Sequence, residues 1–431
     1  MNYKEMVEYL YDIPRFTKEK SRMNLSAILA IYGNPQDSFK YIHVAGTNGK
    51  GSVCAYLASA IQEGGYKTGL FTSPHLVRLN ERFQVDGQEI ADDELTGIFQ
   101  EVLGTVKERQ RKGYPHPTYF EFLYIIAMIY FSRKGVEVGV IETGLGGRLD
   151  ATNVIKSPCI TVITAIGLDH TAILGDNIRA ITGEKAGIMK KNIPVVYWNQ
   201  SDEVRKVVER RARMLDCPGF PVGADQSKKV NRDKTIDFSY ESLYHERYSI
   251  HLNTSAVYQT DNACLALQTL EVLNHRQDIC LTKEQCVSGI EKMVWPGRME
   301  MIEPGVFVDG AHNEDGIECF ARSVDVLDED IYLLFAVCED KDYATMIRRL
   351  CRLRRLKGVI VTALEGGRKK DPKEISKIFE EYWHGSVKYT YNIKEALRYG
   401  KSLLKDKECL YCLGSLYLVG AIKDTGGTRD D

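Results

Sequence analysis

Charge of one sign is the first thing this sequence lacks: 57 Lys and Arg stand against 59 Asp and Glu. No global field therefore recruits nucleic acid or an anionic membrane, and the expected partners are small molecules. An apolar run of about 18 residues, the minimum for a membrane span, is also missing. So is the basic-then-apolar layout of a secretory leader, since the chain opens Met-Asn-Tyr-Lys-Glu-Met. These absences predict a cytoplasmic protein with no membrane partner. The 11 cysteines show no secreted-domain rhythm, which suits a reducing compartment. The single CxxC, Cys409 and Cys412, lies in Glu-Cys-Leu-Tyr-Cys-Leu. That run reads as a strand, and with no second ligand pair nearby its thiols read as core residues rather than a redox or zinc site. Internal repeats and low-complexity tracts are absent too, and the tail Asp424–Asp431 reads as frayed.

A chain of 431 residues exceeds what one core usually organises. Apolar runs bounded by Gly and Pro alternate with helical patterns, the signature of a mainly parallel sheet flanked by helices. The expected strands are Tyr41–Ala45, Thr68–Phe71, Val136–Glu142, Cys159–Ile166 and Pro194–Trp198, with helices at Ser52–Glu63 and Tyr119–Arg133. The latter is apolar on nearly every side and so belongs in a large core. Gly219–Ile250 reads as short strands of a small peripheral sheet. A second alternation starts after Trp295-Pro296-Gly297, with strands at Gly305–Val308, Ile331–Val337, Gly358–Val361, Val387–Thr390 and Cys409–Leu413. The expectation is an α/β protein of two domains: a P-loop-type ATPase domain over residues 1–296 and a smaller Rossmann-like domain over 297–431.

Tyr-Ile-His-Val-Ala-Gly46-Thr47-Asn48-Gly49-Lys50-Gly51-Ser52 is a strand, a glycine-rich turn and a helix start. Backbone N–H groups in such a turn point at phosphate oxygens, the helix terminus adds positive potential, and a lysine neutralises charge on the β- and γ-phosphates. The strict GxxxxGK[ST] pattern is missing, because Gly51 follows Lys50 and the glycine spacing is compressed. Glu142 ends an apolar strand on the side where ligands of α/β sheets gather, and a carboxylate there can hold magnesium against phosphates or simply accept from turn amides. The string that follows, Gly144-Leu-Gly146-Gly147-Arg148-Leu149-Asp150, puts Leu149 in the third glycine position of a dinucleotide fingerprint, which disfavours an NAD site. Across the proposed hinge, Arg298 offers a fork for phosphate, Asp309 an acceptor for ribose hydroxyls and His312 a donor to phosphate.

Gly-Thr-Asn-Gly-Lys-Gly-Ser, Thr72-Ser73-Pro74-His75-Leu76 with Asn80-Glu81-Arg82, and Gly-Gly-Arg-Leu-Asp-Ala-Thr-Asn together resemble the Mur ligase superfamily, within it the folylpolyglutamate synthase and dihydrofolate synthase branch. The resemblance runs from about Tyr41 to Gly420. It implies ATP-dependent amide formation between a folate or dihydropteroate carboxylate and L-glutamate, through an acyl phosphate, by a monomer. It further implies Ser73, Glu142 and His170 as ligands of magnesium, with two ions in the site. Lys185 would be carbamylated, which answers the repulsion between an ammonium and the metals. Asn262 and the hinge residues Arg298, Asp309 and His312 would contact ATP. Phe120 and Glu121, with Asp150 nearby, would line a pterin pocket, and Ser415 would touch substrate. Ala256-Val-Tyr258 stands where the family has Gly-x-His, which puts the local turn before Asn262 in question. Only 45 residues precede Gly46, too few for the extra domain with which cell-wall ligases hold a UDP-sugar. Three other readings compete: a P-loop switch that hydrolyses ATP without ligating, a related ligase acting on another carboxylate, and a dehydrogenase.

Overall fold

The computed structural model describes residues 1–14, 22–232, 234–339, 341–364 and 370–426. The first strands are β1 (Lys40–Ala45), β2 (Thr68–Phe71), β3 (Phe83–Val85), β4 (Gln88–Glu89), β5 (Val138–Glu142), β6 (Ile160–Ile163), β7 (Val195–Trp198) and β8 (Gly219–Val222). They form one sheet in the order β4-β3-β2-β5-β1-β6-β7-β8. β2, β5, β1, β6, β7 and β8 run parallel, while β3 and β4 pair antiparallel at one end. β1 is central, and the chain leaves it first toward β2 and later toward β6. That reversal opens a crevice at the C-terminal ends of the strands, where α/β proteins bind ligands.

Each face of this sheet carries its own core. On one face lies the Tyr119–Lys134 helix, with Phe122, Tyr124, Ile125, Met128 and Phe131 packed with Phe71, Phe83 and Ile141. A capping box starts this helix: Thr118 Oγ1 accepts from Glu121 N–H at 3.3 Å, and Glu121 Oε2 accepts from Thr118 N–H at 2.8 Å. It is buried continuously from Glu121 to Phe131, so truncating Phe122 to Ala would cost about 3–5 kcal/mol. On the other face the Lys50–Glu63, Tyr258–His275 and Lys283–Lys292 helices pack against Ile42, Val44, Val140 and Val162.

β9 (Ser227–Arg232), β10 (Thr235–Glu241) and β11 (Arg247–Leu252) form a separate antiparallel sheet. The expected peripheral sheet is therefore present but starts later than expected. β8 belongs to the large sheet, where Pro221, unable to donate to a ladder, sits on its edge strand.

The remaining strands are β12 (Glu300–Glu303), β13 (Val306–Val308), β14 (Asp330–Phe335), β15 (Leu356–Thr362), β16 (Ser386–Thr390) and β17 (Glu408–Leu413). Their order is β12-β13-β17-β14-β15-β16, parallel except for β12. The molecule is thus a two-domain α/β protein with helix-covered sheets in both parts. Sequence reading overlooked β12, whose alternating exposure hides its pairing with β13. Cys409 and Cys412 are free and buried in β17. The last helix continues to Gly426, past the start of the expected frayed tail, and the rest of that tail lies outside the described residues. Among the described residues no helix is long and apolar enough to cross a membrane.

The two parts touch at several places. Val257 N–H donates to Ser323 Oγ at 3.1 Å, and Tyr258 Oη donates to Asp309 Oδ2 at 2.6 Å. Lys234 Nζ stands 3.1 Å from Glu329.

Candidate active site

A cleft of about 1330 Å³ opens along the C-terminal ends of the first sheet and is walled on its far side by the second domain. Its floor is the turn between β1 and the Lys50–Glu63 helix. Gly49 caps that helix at φ +84°, a left-handed conformation that L side chains rarely adopt. A Cβ there would overlap Asn262 Oδ1, and one at Gly46 would overlap Thr164. Asn262 is thus seated against the turn, with Nδ2 donating to Gln259 at 2.8 Å. The departure at Ala256-Val-Tyr258 leaves the helix intact, which begins at Tyr258.

Not every amide of the turn is free. Thr47 and Asn48 N–H both donate to Ala165 O, at 2.8 and 3.1 Å. This contact also explains why β6 stops at Ile163 rather than Ile166: the chain bends to carry the turn. The donors left for phosphate are those of the first helical turn from Gly49 to Ser52, which no α-helix satisfies internally.

Cations and one acid crowd this floor. Lys50 Nζ donates to Thr47 O at 3.2 Å and lies 3.8 Å from Glu142 Oε1. Glu142 is 3% exposed, and Ser73 N–H donates to its other oxygen at 2.9 Å. Burial raises the Glu142 pKa against the opposing pull of Lys50. Lys185 is 4% exposed and donates to Gly46 O at 2.6 Å, so it is no surface lysine. Desolvation, assisted by Lys50, lowers its pKa to about 7. Among the described residues Ser52 Oγ is buried without a hydrogen-bond partner.

A buried carboxylate with one loose countercharge, an orphaned hydroxyl and unpaired helix amides fit a divalent cation carrying polyphosphate. Ser73 and Glu142 adjoin. His170 lines the same cleft at φ +50°, its ring 3.9 Å from Asp169. Among the described residues no three His, Cys, Asp or Glu side chains form a ready-made metal cage. Any magnesium here would draw the rest of its ligands from nucleotide and water, as this ion commonly does.

The opposite wall comes from the second domain. Arg298 Nη1 donates to Gly297 O at 3.1 Å, beside Asp309. Asp309 is 2% exposed, and its carboxylate already accepts from Tyr258 Oη, Met299 N–H and Ala311 N–H. Its geometry braces the hinge more directly than it offers an acceptor to ribose. His312 donates from Nδ1 to Gly310 O at 2.8 Å, leaving Nε2 3.5 Å from Asp169 Oδ2. Asp169 also binds Lys341 Nζ at 2.5 Å and Asn313 Nδ2 at 3.1 Å. Burial opposes its ionisation, but His312 and Lys341 hold its pKa well below the usual carboxylate range. Asn313 and Asn48 exchange reciprocal amide bonds of 3.0 and 3.1 Å. Sequence reading passed over Asp169 and Asn313, although each adjoins a residue it singled out.

At the other end of the cleft, Phe120 stands against Phe71, ring centroids 5.6 Å apart. Glu121 serves the helix cap. Asp150 accepts from Leu145 N–H at 2.8 Å and from Thr152 N–H and Oγ1 at 2.9 and 2.6 Å. It shapes the glycine-rich loop between them, while its residue still borders the cleft. Ser415 Oγ accepts from Tyr417 N–H at 3.2 Å at the start of the last helix.

Comparison with known proteins gives this cleft a context. Residues 44–270 match the model of the Mur ligase middle domain, and residues 297–416 match that of the Mur ligase glutamate ligase domain. Dihydrofolate synthase/folylpolyglutamate synthase of Bacillus subtilis is 32% identical over 98% of both chains. The folylpolyglutamate synthase of Mycobacterium tuberculosis complexed with ADP and AMPPCP superposes with a TM-score of 0.90 at 27% identity, covering 100% of this chain and 99% of that one. An FPGS-AMPPCP-folate complex superposes at 0.84 with 32% identity over 99% of both chains. The chain belongs to the Mur ligase superfamily, in its folylpolyglutamate synthase and dihydrofolate synthase branch.

Proposed function

We propose that this protein joins L-glutamate to the carboxylate of a folate, and of dihydropteroate as well, using ATP to form an acyl phosphate. The observation that carries this reading is one continuous cleft whose floor is a phosphate turn, whose end wall is aromatic and whose far side is another domain. A free carboxylate does not acylate an amine at neutral pH, because its oxygen leaves poorly. Phosphoryl transfer supplies a good leaving group, and glutamate's amine then attacks the acyl carbon through a tetrahedral intermediate.

In this reading Lys50 and Arg298 spread the charge that develops on the transferring phosphoryl group from opposite walls, where most of the catalytic effect in such reactions arises. The Gly49–Ser52 amides hold the nucleotide, with Asn262 fixing the turn. Magnesium held by Ser73, Glu142 and His170, as two ions, would draw further charge from the phosphate oxygens. Phe120 supports the pterin, His312 joins Arg298 on the nucleotide, and Ser415 contacts substrate. Closure of the second domain, with its boundary at Pro296-Gly297, keeps water from the acyl phosphate.

Lys185 is carbamylated in the working enzyme in this proposal. A buried amine with a pKa of about 7 is largely unprotonated just above neutrality and therefore nucleophilic toward carbon dioxide, and the resulting anion relieves the surplus positive charge around Lys50. The protein works as a monomer in the cytoplasm.

The test is phosphate release from ATP and magnesium with glutamate, comparing dihydropteroate, tetrahydrofolate and no acceptor, with products read by mass spectrometry. A glutamyl mass added to both acceptors establishes the dual activity, and addition to one alone narrows it. Phosphate release indifferent to either acceptor removes the folate assignment. Intact mass of the active protein in bicarbonate reads the Lys185 carbamate directly.

A further inference from the structure

The cleft contains a buried cation that the phosphate chemistry leaves unused. Arg82 ends the short Leu79–Arg82 turn, is 6% exposed and lines the cleft. Among the described residues it has no carboxylate within ion-pair distance, unlike Lys50 with Glu142 and Lys341 with Asp169. A guanidinium removed from water without an anion is costly unless a ligand completes it.

Its orientation is fixed from behind. Arg82 Nε donates to His75 Nδ1 at 2.8 Å, and His75 Nε2 stands 3.1 Å from Tyr11 Oη. Because Nδ1 accepts, the ring proton sits on Nε2 and points to the tyrosine oxygen. The guanidinium carbon lies 5.7 Å from the centre of the Tyr119 ring, itself stacked on Tyr11 at 6.1 Å. With Nε engaged, the two terminal amino groups have no protein partner among the described residues. They form a planar fork matched to a carboxylate, set beside the aromatic wall.

We propose that Arg82 is the carboxylate-binding residue for the acyl substrate, held in register by His75 and Tyr11. The inference rests on the folate reading above. The carboxylate has two sources: the one that becomes phosphorylated, present in dihydropteroate and folates alike, or the α-carboxylate of a folate's terminal glutamate, which does not react and which dihydropteroate lacks.

The test is calorimetric binding of folic acid and of pteroic acid to the full-length protein in ADP and magnesium, for wild type, Arg82→Gln, Arg82→Lys and His75→Gln. Arg82→Gln is expected to weaken folic acid about 10- to 100-fold, the loss typical of a charge-assisted contact, with ADP binding unchanged. Arg82→Lys should recover part of the loss, since charge returns without the fork, and His75→Gln should show a smaller loss of the same kind. Equal weakening of both acids places the fork on the reacting carboxylate, and weakening of folic acid alone places it on the α-carboxylate. Wild-type binding of folic acid matched by Arg82→Gln overturns the Arg82 assignment and spares the folate reading. Failure of wild type to bind either acid overturns both. If Arg82→Gln does not fold, Arg82→Lys decides: binding equal to wild type for both acids rejects the fork.

Discussion

Two charged clusters adjoin in the cleft and differ in how well their own residues satisfy them. Around Asp169, the carboxylate, Lys341, His312, Asn313 and Asn48 complete one another over distances of 2.5 to 3.5 Å. Around Lys50, a buried acid has one cation at 3.8 Å, Lys185 leans on a carbonyl oxygen, and Ser52 Oγ has no partner among the described residues. The first cluster is finished without ligand and joins domains. The second is unfinished and is completed by what binds. Polar groups left short of partners inside a protein are a cost that evolution keeps where a substrate removes it.

The comparison is broken most sharply at the unfinished cluster. Lys50→Ala is expected to lower kcat about 10²- to 10³-fold, the usual loss when a charge-stabilising donor is removed, with only a small fall in melting temperature, because Glu142 loses a countercharge 3.8 Å away but, with its pKa already raised by burial, can take up a proton instead. A fall in melting temperature of many degrees would show that Lys50 is structural. Asp169→Asn attacks the finished cluster and leaves Lys341 buried without its anion, a loss of about 3 kcal/mol or more. Turnover should fall about tenfold with a larger solution radius by X-ray scattering, and an unchanged radius would deny the cluster its joining role.

Titration separates the clusters further. The folded pKa of Asp169 is depressed, so its contribution is present above the unfolded value of about 3.8 and is lost only as pH falls through the folded one. Domain contact should survive at pH 5. Lys185 has the same sign in a higher pH window, as a cost relieved rather than a gain acquired. Its folded pKa of about 7 lies below the ordinary lysine value of 10.5, so between these the unfolded chain binds more protons and stability rises with pH. Below about 7 the cost of burying the ammonium is fully present, and above 10.5 it vanishes. In carbon-dioxide-free buffer, wild type should gain on the order of a few kcal/mol from pH 6.5 to 10 relative to Lys185→Met, and parallel curves would reject the lowered pKa. The smallest effect is expected far from either cluster: Cys409→Ala with Cys412→Ala should leave activity unchanged and cost about 1 kcal/mol each in packing.

What could be read in advance follows from how local the signals are. The β1–turn–helix unit, the buried Tyr119–Lys134 helix and Glu142 at a strand end each declare themselves within a dozen residues. The partners of Asp169 come from residues 312, 313 and 341, and no local pattern announces contacts across so many positions. Asp150 and Asp309 show the converse. Their neighbourhood marked them as site residues, yet hydrogen bonds from Leu145, Thr152, Met299 and Ala311 occupy oxygens that sequence reading had left for ligand. β8 and β12 were misread or overlooked because edge strands lack the uniform apolar run of central parallel ones.

The contacts of Val257 with Ser323 and of Tyr258 with Asp309 have a mechanical meaning beside the covalent crossing at Pro296-Gly297. They hold one edge of the second domain against the first, while Lys341 on Asp169 and Asn313 on Asn48 hold it from another element. Any swing about the first edge that opens the cleft has to pull those polar contacts apart, so they act as a latch and the crossing as its hinge.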